Sequence, residues 1–66
     1  MMYNTKGIPY KHNKTGNTYY LLMDKVIECT NGREEKRYAV YMSAQTGMIF
    51  CRESDEFYQK FTVISM

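Results

Sequence analysis

Residues 36–52 read KRYAVYMSAQTGMIFCR, and this stretch decides the fold. Tyr38, Val40 and Met42 alternate with Arg37, Ala39, Tyr41 and Ser43, the period of two that marks a half-buried strand. Ala44-Gln45-Thr46-Gly47 supplies turn chemistry, with Gly47 free to take a positive φ. Met48 to Arg52 follows as a second strand, short, apolar and aromatic. A hairpin this hydrophobic does not stand alone in water, so the rest of the chain must cover it.

Before the hairpin, Thr30 to Glu35 is a polar connection whose Asn31-Gly32 pair signals a turn. Thr18 to Cys29 is the longest strand candidate. Tyr19, Leu21 and Met23 share one face, then the parity fails at Asp24-Lys25, which predicts a bulge or sharp bend there. A helix over Leu21 to Glu28 competes, because Leu22, Val26 and Cys29 fit helical spacing; the β-rich flanks favour the strand. Asn13-Lys14-Thr15-Gly16 is an earlier turn, and Ile8 to His12 a short strand that Pro9 confines to an edge or a first position. Residues 1–7 have no periodic pattern and are expected as a flexible lead-in, leaving residues 8–66 as one domain.

After the hairpin, Ser54 is placed to cap a single helical turn, with Asp55 and Glu56 at its positive end. Phe57 and Phe61, four apart, would anchor that turn, and Thr62 to Ser65 reads as a closing strand. Five short strands, tight turns and one short helical turn before the last strand predict an all-β, SH3-like five-stranded barrel. An OB-like barrel is the alternative, though it usually needs a longer chain.

With 66 residues the chain makes one domain that buries only about 60% of its unfolded surface. A hydrophobic content of 44% argues against disorder, and a net charge of +2 is weak evidence for a polyanion partner. The charge is nonetheless polarised. Lys6, Lys11 and Lys14 precede the first acid, Asp24, while Glu53, Asp55 and Glu56 cluster late. No apolar run approaches a signal segment or a membrane span. In a three-strand meander Cys29 and Cys51 would lie on the outer strands, about 10 Å apart across two inter-strand spacings. A disulfide needs Cα atoms closer than about 7 Å. Free thiols and a reducing, cytoplasmic compartment are therefore expected.

The series Tyr10-Lys11-His12, Lys14, Gly16, Tyr19, Glu28, Thr30-Asn31, Val40-Tyr41, Gly47, Phe50, Arg52, Phe57 and Lys60-Phe61 resembles domain-of-unknown-function family 1653. Those are small SH3-like domains common in bacteria and their phages. The likeness runs from Ile8 to Val63 and rests on order and spacing. Many members carry Arg-Pro where this chain has Arg52-Glu53, and the acidic residue looks closer to the phage-type branch. The resemblance implies a fold and a bacterial or phage cytoplasmic setting, host cytoplasm if phage-encoded. It implies no activity.

Among single residues, Arg52 ends the hairpin on an aromatic strand. It is read either as a structural partner of Glu28, Glu53 or Asp55, or as a ligand-contacting arginine beside Tyr41 or Phe50. Glu28 would take hydrogen bonds from the following turn or project into a groove. His12, the sole histidine, has no evident catalytic partner and is read as bonding a turn. One histidine and two cysteines fall short of a closed zinc site, so no metal or other cofactor is expected. Of seven tyrosines, Tyr10, Tyr20, Tyr41 and Tyr58 are the candidates for exposure.

These residues lead to a small binding module acting through protein contact, as a monomer or a homodimer and without membrane. The alternative is a nucleic-acid-binding barrel, with Lys11, Lys14, Arg37 and Arg52 on phosphates and tyrosines stacking bases. An enzyme built around His12 and Glu28 ranks last, because a barrel this small has little room for a water-excluding pocket.

Overall fold

The computed structural model describes residues 7–30 and 35–64. The strands are β1 (Ile8–His12), β2 (Thr18–Ile27), β3 (Arg37–Ser43), β4 (Ile49–Glu53) and β5 (Phe61–Val63). One helix, α1 (Ser54–Lys60), lies between β4 and β5. The expected Asn31-Gly32 turn, Ser65 and residues 1–6 of the expected lead-in lie outside the described residues.

All five strands form one antiparallel sheet in the order β4-β3-β2-β1-β5. This corrects the SH3-like barrel: the domain is mainly β with one short helix, but the sheet is open. Strands β4 and β5 are its two edges and are not hydrogen-bonded to each other. The reason is local. Helix α1 runs directly from β4 to β5 and packs on β3, β4 and β5, and no ladder joins the two edge strands. β5, with three residues, pairs only along β1. The edges approach through side chains instead, the Arg52 guanidinium lying 5.9 Å from the centre of the Phe61 ring.

The core is built on the helix side of the sheet from Leu21, Ala39, Tyr41, Phe57 and Phe61, with Tyr10 and Tyr19 packed against it. Phe57 and Phe61 anchor the helix as their spacing predicts, stacked at 4.3 Å with nearly parallel rings. Both also press on Tyr41, at 5.0 and 5.1 Å. Full burial of a side chain of this size contributes about 1.5–3 kcal/mol. On β3 the buried parity is Ala39, Tyr41 and Ser43, not the alternate set that includes Val40. Ser54 is buried inside the helix rather than capping it; Glu53 is the N-cap residue, with no side-chain capping bond.

Strand β2 carries two irregularities, between Leu21 and Met23 and between Met23 and Val26. Lys25, at φ 60°, is the one described non-glycine residue with a positive φ. The parity failure at Asp24-Lys25 is thus a bulge as expected, preceded by a second one. That earlier slip turns Met23 to the face opposite Leu21, where it pairs with Val40 and is exposed. Pro9 stands in an interior strand, contrary to its expected edge or first position. Its carbonyl accepts the Ile64 amide just past β5, and the return bond that proline cannot donate falls at this end of the β1–β5 ladder, so only a terminal bond is lost.

Gly47 takes φ 76° in the β3–β4 turn, where the Ser43 hydroxyl accepts the Gln45 and Thr46 amides. Gly7, at φ 78°, meets β2 so closely that a Cβ there would lie 2.1 Å from the Leu21 carbonyl oxygen.

Candidate functional site

The sheet has two unlike faces because α1 covers only one. In an antiparallel pair, directly opposed residues project to the same side, so the register assigns the other face row by row. Tyr20, Met42 and Ile49 form the row nearest the β1–β2 turn. Met23, Val40 and Cys51 form the middle row, and Val26, Tyr38 and Glu53 the far row. Eight of these nine side chains are apolar or weakly polar. Met23 and Ile49 are 62% and 61% exposed, Cys51 is exposed, and Tyr20, Val26, Tyr38, Val40 and Met42 are half-buried. Val26, Glu28, Tyr38, Val40 and Cys51 line a shallow hollow of about 290 Å³ on this face. Contiguous apolar surface of this kind on a small domain marks a contact site more often than chance.

Glu28 is the one carboxylate in that hollow, and among the described residues it has no hydrogen bond or ion pair. The turn that would hydrogen-bond Glu28 in its other reading runs into residues 31–34, outside the described residues. Tyr20 belongs to the same face. The other predicted site residues do not converge on it.

Arg52 and Tyr41 do meet, but on the covered side. Arg52 Nε donates to the Tyr41 hydroxyl at 3.1 Å and its terminal nitrogen to Glu56 at 3.3 Å. The Tyr41 hydroxyl above all, then the Glu56 carboxylate, hold the guanidinium pKa above its ordinary value against partial burial. Arg52 thus closes the gap between β4, β3 and the helix, with Glu56 as its acid rather than Glu28, Glu53 or Asp55. Tyr41 is buried at 4% exposure and Tyr10 half-buried against Phe57, which corrects both as exposed candidates. Their rings fill the space under α1.

His12 Nδ1 is hydrogen-bonded to the Thr15 hydroxyl at 3.0 Å, and its ring lies 4.9 Å from Phe61. This is the turn-bonding histidine of the ordinary reading. Lys14 sits on the same turn, at a hollow of about 340 Å³ lined by His12, Asn13, Gln59 and Lys60. Arg37 lies at the other end of β3, beside Lys36 and Glu53, so Lys14 and Arg37 share no surface. Cys29 and Cys51 are both free and exposed.

One polar cluster went unread in the sequence. Asp24, carried inward by the β2 bulge, accepts from the Ser54 hydroxyl at 2.7 Å, from the Tyr58 hydroxyl at 2.5 Å and from the Lys25 amide at 2.7 Å. Partial burial opposes its charge, but the Tyr58 and Ser54 bonds and the Lys25 amide and ammonium outweigh it, so its carboxyl lies below the usual range. The same bond, foremost, pushes the Tyr58 phenol well above its ordinary value. With no histidine or second acid within it, the cluster is a clamp between helix and sheet. The signal that marks it is the parity failure at Asp24. The signal for the uncovered face is that both parities of β3 are apolar, as in strands with two buried faces.

Among the described residues no helix is long and apolar enough to cross a membrane, and no group of three His, Cys, Asp or Glu side chains is gathered as for a metal ion. No protein-family model, no curated protein and no solved structure matches the chain.

Proposed function

We propose that this chain is a small binding module whose uncovered sheet face closes over apolar side chains of a protein partner. The observation that carries the reading is the three-row apolar face with its hollow at Val26, Tyr38, Val40 and Cys51. Covering such surface is the main favourable term in protein association. Of the four tyrosines expected for base stacking, Tyr41 lies in the core, Tyr10 packs against it and the Tyr58 hydroxyl is held by Asp24, which leaves Tyr20, with Tyr38, on the uncovered face among apolar side chains rather than cations. With Lys14 and Arg37 at opposite ends, the balance lies with protein contact over nucleic acid. A cytoplasmic setting fits two free exposed thiols. Kinship with domain-of-unknown-function family 1653 is part of the proposal, supported by residue order alone, and it supplies no activity.

The test is a photo-crosslinking residue placed at Met42, on the uncovered face, or at Gln59, on the exposed side of the helix. Protein adducts from position 42, absent at 59 and abolished by Ile49→Lys, are the expected result. Adducts to nucleic acid, or equal yields from both positions, would sink the reading.

A further inference from the structure

We infer that the occupant of the uncovered face is a second copy of this chain, laid antiparallel across it about a two-fold axis along the middle row. The inference rests on reading that face as a contact surface, and adds which partner covers it. Three observations point to a self-contact.

The first is size. The apolar rows span three strands spaced about 4.8 Å apart over roughly seven residues at ~3.3 Å each, an apolar centre of about 14 Å by 23 Å. A centre of that size needs the flanking polar residues of the strand ends to reach the ~800 Å² per partner of a standard interface, which suits a partner of the same dimensions. A domain with five buried hydrophobic residues among those described gains a second core from itself by stacking two sheets, about 10 Å apart.

The second is charge. Among the described residues, Lys11, Lys14 and Lys60 gather around the β1–β2 turn, and Glu56, one helical turn from Lys60, is paired with Arg52. Glu28, Glu35, Glu53 and Asp55 lie at the opposite end, where Lys36 and Arg37 offset only part of their charge. An antiparallel copy brings each lysine end over the other's carboxylate end, and the unpaired Glu28 gains a cation. A parallel copy would oppose like charges. Complementarity of this sort fixes orientation more than it adds affinity.

The third is the pattern of rows. A two-fold axis along Met23, Val40 and Cys51 places each of these opposite its own copy and lays Tyr20 and Met42 over Val26 and Tyr38 of the second copy. Isologous contacts require this kind of self-match. Only Glu53 meets an apolar residue, Ile49, and it does so at the β4 edge, where its side chain reaches water and Lys36.

Sedimentation equilibrium of the chain over a hundredfold concentration range tests the inference, together with a short bis-maleimide that reaches about 8 Å. The expected result is a shift from 7.9 kDa to twice that mass, with cross-linked dimer in a Cys29→Ser chain and none in Cys51→Ser. Ile49→Lys, at an exposed position, should keep the circular dichroism spectrum while weakening the dimer at least tenfold. Raising the salt from about 50 to 500 mM should weaken it several-fold as the Debye length falls. A dimer indifferent to Ile49→Lys and not cross-linked through Cys51 uses another surface, and overturns the inference. So does a chain that stays monomeric throughout. If that monomer still gives position-42 adducts with another protein, the contact face stands and only the second copy falls; if it gives none, both fall.

Discussion

The two faces of the sheet are built from neighbouring residues of the same strands and meet opposite fates. On β3, Ala39 and Tyr41 are 0% and 4% exposed beneath α1, while Val40 and Met42, one residue away, are half-buried on the face away from the helix. Both sets are apolar. The covered set is distinguished by what meets it there: Phe57 of the helix stacked on Phe61 of β5, an arginine of β4 bonded to the Tyr41 hydroxyl, and the Asp24 carboxylate of β2, which receives Ser54 and Tyr58 of the helix. Hydrophobicity makes a face able to be buried. A partner with matching polar anchors determines that it is.

Phe57→Ala should break the comparison most strongly. The ring is fully buried, and its loss should cost about 3–5 kcal/mol, close to the entire stability of a domain this small. A urea transition shifted by less than about 1 kcal/mol would mean that α1 does not define the core. Gly7→Ala comes next, at about 1–3 kcal/mol, from a strained positive φ and a Cβ directed at the Leu21 carbonyl. An unchanged urea midpoint would show that β1 enters the sheet differently.

Asp24→Asn should cost about 1–3 kcal/mol at neutral pH by spoiling bonds that a carboxylate accepts. The sign with pH follows from the lowered pKa. The stabilisation is complete above the unfolded carboxyl value near 3.8 and is lost as pH falls through the lower folded value. Thermal melts between pH 2 and 6 should therefore converge for wild type and variant at the acid end, and parallel curves would remove Asp24 from the clamp. Arg52→Lys should cost about 0.5–1.5 kcal/mol, since an ammonium keeps Glu56 but loses the fixed fork that also reaches Tyr41. Smallest of all, Ile49→Ser on the uncovered face should change the stability of the isolated chain, measured at low concentration, by under ~0.5 kcal/mol. A larger loss in dilute solution would mean that this face is already covered within one chain.

The sequence carries the strands because period-two patterning and turn chemistry are local. β1 falls on its expected residues, β3 and β4 fall within one residue of theirs, and Gly47 turns between them with the positive φ its position suggests. The Phe57–Phe61 pair and the bulge at Asp24-Lys25 are legible for the same reason. Whether a sheet closes depends on residues far apart in the chain, and here a three-residue β5 pairs only along β1 and forms no ladder to β4. Which apolar parity of β3 is buried was equally out of reach. Alternation separates Tyr41 from Val40, but only the docking of α1 chooses between them, and that choice placed Tyr41 in the core with Arg52 bonded to its hydroxyl and left Val40 with the open face. Local propensity and periodicity write the elements; long-range packing assigns each face its cover, because burial is settled by what arrives from elsewhere in the chain.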